Sequence, residues 1–275
     1  MMTAPMFRNR YLAHALGGLD GYSYLNNEPA LVNSLVNGHE YLEVDLTLTS
    51  DGHVVPAHGW SEKNAARCGM KYDPSFGHMT REMFLSQTLH GMPTMDTETL
   101  YGYMKKHPDL WWQLDLHTLD YDKAAVVTKA VLDDFHNDSE LFGHFLIQAN
   151  SPEMFEGIES VYHFTYYQLF LKKGISDEDL DRSLRYCVDN GFVSVSLNSQ
   201  DADPETIRKI HDAGLAVLVY TVDKKKRRDE LFEMGADTIC TDVFSPRQDK
   251  VDRFNSLPPV RLYNRIVRKI KRLHK

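Results

Sequence analysis

Tyr41-Leu42-Glu43-Val44-Asp45-Leu46-Thr47 alternates apolar side chains with polar or amphipathic ones, and two of the latter are acids. A period of two predicts a strand, with Glu43 and Asp45 projecting to the same face. What that face meets depends on the neighbours. Outward from it, β-rich runs recur at Tyr11–His14, Trp111–Leu116, Phe145–Ala149, Val161–Tyr167, Phe192–Leu197, Ala216–Val222 and Thr238–Thr241. Helical patterns fall between them, at residues 28–36, 96–106, 124–135, 152–160, 177–189, 204–213 and 225–234. Asp203 followed by Pro204, with Gly214 beyond, is a start-and-stop signature for one of these helices. Strands alternating with helices predict a parallel sheet, and eight strands predict a closed (β/α)8 TIM barrel, an α/β single domain over residues 1–250. An open doubly wound sheet is the alternative. It usually carries a Gly-rich loop after its first strand, where this chain has His14-Ala15-Leu16-Gly17-Gly18.

In a barrel the face shared by Glu43 and Asp45 is the interior, and Asp115 points inward from the next strand by the same parity. Buried acids are costly unless paired or bound to a cation. Three of them on neighbouring strands predict one divalent cation, Mg2+ or Ca2+, held by oxygen. His14 and His58 lie at strand ends, where barrels place their reactive groups. Residues 53–93 interrupt the βα alternation with a short strand at 53–57 and a polar, Gly-rich region, too long for a plain connection.

The 275 residues carry a net charge of -8, and residues 260–275 hold seven Lys or Arg and no acid. The rest is therefore near -15, which argues against nucleic acid. Cys68, Cys187 and Cys240 are sparse and odd in number, as in a reduced, cytoplasmic protein. The first 18 residues have no apolar core of signal-peptide length. In the tail, residues 251–275, Tyr263, Ile266, Val267, Ile270 and Leu273 recur at helical spacing among basic residues. This predicts a basic amphipathic helix, docked on the acidic barrel or lying at the inner face of a membrane through residues 260–275. Oligomeric state is not legible.

The order of motifs resembles the glycerophosphodiester phosphodiesterase family, within the TIM-barrel phosphodiesterases related to phosphatidylinositol-specific phospholipase C. The resemblance runs through His14-Ala15, Asn26-Asn27, Gly38, Glu43-Val44-Asp45, Thr49-Ser50-Asp51-Gly52 and His58-Gly59. It continues through Pro93-Thr94-Met95, Gln113 to His117, Gly214 to Asp223, Gly235-Ala236-Asp237 and Thr241-Asp242. It spans residues 10–245. It implies a phosphoric diester hydrolase acting on a small-molecule or lipid-derived phosphodiester, with Glu43, Asp45 and Asp115 as metal ligands. His14 and His58 would then be the acid–base pair. His117 takes the place of a family lysine, or is a strand-end histidine bonded to a carboxylate. Tyr220 packs on the substrate's carbon skeleton or is a barrel-rim residue, and Asn26 supports the metal shell or forms a turn.

The departures are Ala15 for Arg, Leu25 for Glu, Gly59 for Asp, Asp115 for Glu, His117 for Lys and Tyr220 for Trp. The Arg and Lys bind phosphate oxygens in the family, so their replacement loosens the expectation of a glycerophosphodiester substrate. Two alternatives follow. His58-Gly59 and Asp115 to Thr118 are also similar to the sphingomyelinase D and phospholipase D barrels, which act on intact phospholipids. Ala15 and His117 would suit a catalytically silent barrel that binds a phosphorylated ligand or a protein partner.

Overall fold

The computed structural model describes residues 4–118, 120–256 and 260. Among the described residues the parallel strands are β1 (Tyr11–Ala13), β2 (Tyr41–Leu48), β3 (Trp111–Asp115), β4 (Phe145–Ala149), β5 (Tyr166–Phe170), β6 (Ser194–Asn198), β7 (Ala216–Tyr220) and β8 (Thr238–Thr241). Each pairs with the next in chain order, and β8 pairs with β1, so the sheet closes into the expected (β/α)8 barrel. The register places Asp45 beside Asp115 and Asp115 beside Gln148. Inward side chains therefore come level around the barrel.

Most of the helices that cover the sheet begin where the sequence supplies a side-chain acceptor for their free N–H groups, the helix Lys225–Met234 being an exception. Asn27, Asp96, Ser176 and Asp203 each accept a backbone N–H at the start of a helix. Each such cap contributes about 1 kcal/mol. The main apolar core lies between helices and strands and includes Leu42, Val44, Leu114, Ile147 and Val217. A second cluster fills the amino end of the barrel with Leu12, Tyr41, Leu146 and Ala216, closed from below by Met6 and Phe7. Towards the carboxyl end the inward residues turn polar. Tyr41 Oη donates to Gln113 Oε1 (3.0 Å), Gln113 Nε2 donates to Gln148 Oε1 (3.1 Å), and Gln148 Nε2 donates to Asp115 Oδ2 (2.7 Å). Gln168 and Ser194 extend this buried ladder into β5 and β6.

Several boundaries differ from the sequence expectation. The fifth strand begins at Tyr166, because the N–H groups of Val161 and Tyr162 donate back to Ile158 O (3.0 Å each) and finish the preceding helix. The sixth begins at Ser194, because the Phe192 N–H closes its own preceding helix on Cys187 O (2.9 Å). β1, β3 and β7 end at Ala13, Asp115 and Tyr220, earlier than expected. The segment at 53–93 is ordered. Val54–Pro56 pairs antiparallel with the end of β2, and helices Glu62–Cys68 and Arg81–Leu85 follow. The three cysteines are buried and free. No helix among the described residues is long and apolar enough to cross a membrane. The last helix with described bounds is Pro246–Ser256, and residues 261–275 of the amphipathic helix expected at 260–275 lie outside the described residues.

Candidate active site

A cavity of about 310 Å3 opens at the carboxyl ends of the strands. His14, Glu43, Asp45, His58, Asp115, His117 and Tyr220 all line it. Asn26 does not line it but grips one of the acids: Asn26 Nδ2 donates to Asp45 Oδ2 (2.7 Å), and the Asp45 N–H donates to Asn26 Oδ1 (3.1 Å). The parity of β2 turns Glu43 and Asp45 inward, where they are only 4% and 2% exposed. No lysine or arginine is among the lining residues.

The acids are held from different sides. Glu43 Oε2 accepts the Ala15 N–H at 2.6 Å. Asp115 Oδ1 accepts the His117 N–H (3.1 Å) and Asn150 Nδ2 (3.3 Å). Asp45 Oδ1 meets His117 Nε2 at 2.5 Å and lies 3.9 Å from His58 Nε2. The His117 ring thus bonds to a carboxylate, the second of the two readings its sequence position allowed. Burial, then the charge of Asp45, push the Glu43 carboxyl well above its ordinary range. Burial would raise Asp45 too, but the charge and hydrogen bond of His117, with His58 and His14, hold it below the usual carboxylate range.

The histidines occupy different surroundings. His14 Nδ1 lies 2.9 Å from Asp242 Oδ1. Burial disfavours its charge, yet the bond and charge of Asp242, with Glu43 and Asp45, raise it to about 9. His117 is raised to about 10: burial works against it, and the charges of Asp115 and Asp45 outweigh that. His58 is lowered, chiefly by burial. Its Nδ1 is buried without a partner. Its ring is instead packed between His117 (centroids 4.3 Å apart) and the edge of Tyr24 (4.8 Å). Tyr24 also meets His14 at 4.5 Å, so one tyrosine touches both histidines.

Backbone strain concentrates here. Ala15, Leu16, Tyr24, Asn26 and His117 all have φ between +44° and +65°, a region L-residues rarely adopt. Tyr220 donates its hydroxyl to Leu171 O (2.8 Å) and stacks on Phe170 at 4.8 Å, making one flat wall of the cavity. Asp242 and Tyr24 were given no role by the sequence reading. Asp242 stood within the Thr241-Asp242 motif, a usable signal, whereas Tyr24 had none.

Among the described residues, the group whose ligand atoms come close enough together to share a metal is Asp45, His58 and His117, not the three acids. One atom of each lies within 4.8 Å of the others, a mixed set. Glu43, Asp45 and Asp115 offer only oxygen, which suits a hard cation. Three acids in one cavity, with no lysine or arginine on its lining, suit a divalent ion.

The glycerophosphoryl diester phosphodiesterase family model matches residues 26–245. No curated protein sequence matches. Among solved structures, a Silicibacter pomeroyi DSS-3 protein assigned as a glycerophosphoryl diester phosphodiesterase is 20% identical, with TM-score 0.70 over 90% of this chain and 94% of its own. An Oleispira antarctica phosphodiesterase, in complex with the product sn-glycerol-3-phosphate, is 15% identical, with TM-score 0.71 over 91% of this chain and 100% of its own. An Agrobacterium tumefaciens glycerophosphodiester phosphodiesterase is 17% identical, with TM-score 0.64 over 88% and 97%. At such identities the structural likeness speaks for the fold, and the family model speaks for descent. The chain belongs to the glycerophosphoryl diester phosphodiesterase family.

Proposed function

We propose that this protein is a metal-dependent phosphodiesterase that cleaves a glycerophosphodiester, or a related lipid-head-group ester, to a phosphomonoester and an alcohol. The observation that carries this reading is the meeting of Glu43, Asp45, Asp115, His14 and His58 in one cavity that no lysine or arginine lines. The product bound to the Oleispira antarctica relative, sn-glycerol-3-phosphate, is a phosphomonoester of the expected kind.

Glu43, Asp45 and Asp115 would hold one divalent cation, Mg2+ or Ca2+, which offsets charge on a nonbridging phosphate oxygen. His58 is the base. Its Nε2 is the nitrogen turned towards Asp45, and its lowered basicity leaves it neutral near pH 7. It takes the proton of the attacking water or substrate hydroxyl as that oxygen bonds to phosphorus. His14 is the acid. Its bond to Asp242 favours the imidazolium, and Nε2 delivers the proton to the leaving alkoxide as the P–O bond breaks. Asp242 keeps the His14 ring aimed, and Asn26 does the same for Asp45. His117 offers a second positive group beside the acids.

A screen of phosphodiesters with Mg2+, Ca2+ and Mn2+ add-back, run beside His14→Ala and Glu43→Gln, tests this. Each variant is expected to lose about 10^2- to 10^4-fold in kcat. Activity surviving in both would remove the proposed centre.

A further inference from the structure

The cavity has three carboxyl groups and no lysine or arginine on its lining, and the proposed substrate is an anion, so a guanidinium beside it would add to the attraction that His14 and His117 supply. Arg67 lies on the helix Glu62–Cys68 of the inserted segment, and its Cζ sits 4.3 Å over the ring of Tyr24. Tyr24 lines the catalytic cavity and touches both histidines. Among the described residues no carboxylate pairs with Arg67, unlike Arg81, Arg182, Arg208 or Arg227. Its guanidinium is therefore held by a π face alone, with its N–H fork free to bind.

The placement is built rather than incidental. Helix Glu62–Cys68 is capped by Ser61 and ends at Gly69, whose φ is +66°. A Cβ at Gly69 would fall 2.4 Å from His90 Nδ1, so glycine is required for this approach. His90 Nε2 in turn bonds to the Arg67 carbonyl (3.1 Å), and the His90 ring stacks on Tyr22 at 4.0 Å. The loop after β1 and the inserted segment are thus clasped at two points, Tyr22 on His90 and Tyr24 on Arg67.

We propose that Arg67, carried on the face of Tyr24, binds the substrate's phosphate group at the mouth of the cavity. This rests on the phosphodiesterase reading and adds to it a binding residue from the inserted segment. The role is substrate capture, so Arg67 acts on affinity more than on the chemical step.

Calorimetric titration of the Mg2+-loaded protein with inorganic phosphate and with sn-glycerol 3-phosphate tests the proposal. Arg67→Met is expected to weaken both about 10- to 100-fold and to raise KM similarly, with kcat falling far less. Arg67→Lys, which keeps the charge but loses the planar fork, should fall between. Tyr24→Leu should weaken binding, and the double variant should lose less than the sum of the two losses, since both act through one contact; full additivity would count against that contact. Arg10, whose guanidinium lies 3.9 Å over Phe232, provides a comparable contact elsewhere, and Arg10→Met should leave phosphate affinity unchanged. Unchanged affinity in Arg67→Met, with diester turnover intact, overturns this proposal and leaves the phosphodiesterase reading standing. A wild-type protein that binds neither probe and turns over no diester overturns both.

Discussion

Replacing Asp242 with Asn separates the geometry of His14 from its charge. The amide can keep a hydrogen bond to Nδ1, but the carboxylate that favours the imidazolium is gone. His14 is raised from 6.5 to about 9, with Asp242 the largest of the raising influences and burial opposing it. Without Asp242 it should titrate at or below its ordinary value. A group titrating near 9 is about 90% protonated at pH 8, and one near 6.5 about 3%. The sign follows from its role: an acid must be protonated, so activity is lost as pH rises through its pKa. Asp242→Asn should therefore cost about 30-fold in kcat at pH 8 and much less at pH 6, with the alkaline limb of the rate profile moved about 2.5 pH units downward. The assay is kcat against pH from 5.5 to 9.5 with saturating divalent ion. An alkaline limb that stays in place, or a loss equal at all pH values, would refute His14 as the proton donor.

Other perturbations follow from the same contacts. Asn26→Ala leaves the Asp45 N–H and one carboxylate oxygen without their partners, so denaturant unfolding should show a loss of about 1–3 kcal/mol. A Cβ at Gly157 would fall 2.3 Å from Tyr121 O, where helix Pro152–Glu159 crosses helix Tyr121–Asp134. Gly157→Ala should therefore cost about 1–3 kcal/mol and lower Tm without altering the shape of the pH profile. A divalent ion at a hundred times its Kd should stabilise the wild-type protein by about 2.7 kcal/mol, and a thermal melt of Glu43→Gln should show much less response.

The sequence made the barrel readable because its strands and helices differ in period and its helix starts carry their own acceptors, as at Asp203. Boundaries slipped where backbone turns consumed β-prone residues. Val161 to Phe164 reads as a strand, but its first two N–H groups belong to the preceding helix. The three acids stood out because burial makes an unpaired carboxylate expensive, and their parity, together with the strand-end histidines and the order of motifs, pointed to the carboxyl end of the barrel. Tyr24 and Arg67 did not stand out. They are 43 residues apart and meet only because the segment at 53–93 folds over the first loop, and the positive φ at Tyr24 falls on a residue type that does not advertise it.

The buried ladder from Tyr41 through Gln113 and Gln148 to Asp115 has a consequence for how such a chain can drift. Gln113 bonds to strands on both sides and Gln148 bonds twice to β3, so exchanging either amide for an aliphatic residue leaves its partners unsatisfied in a dry interior. Divergence at these positions must come in concert, several staves of the barrel changing together or none. A lone replacement at Gln148 would also let Asp115 swing, which links inherited change deep in the wall to the reacting end.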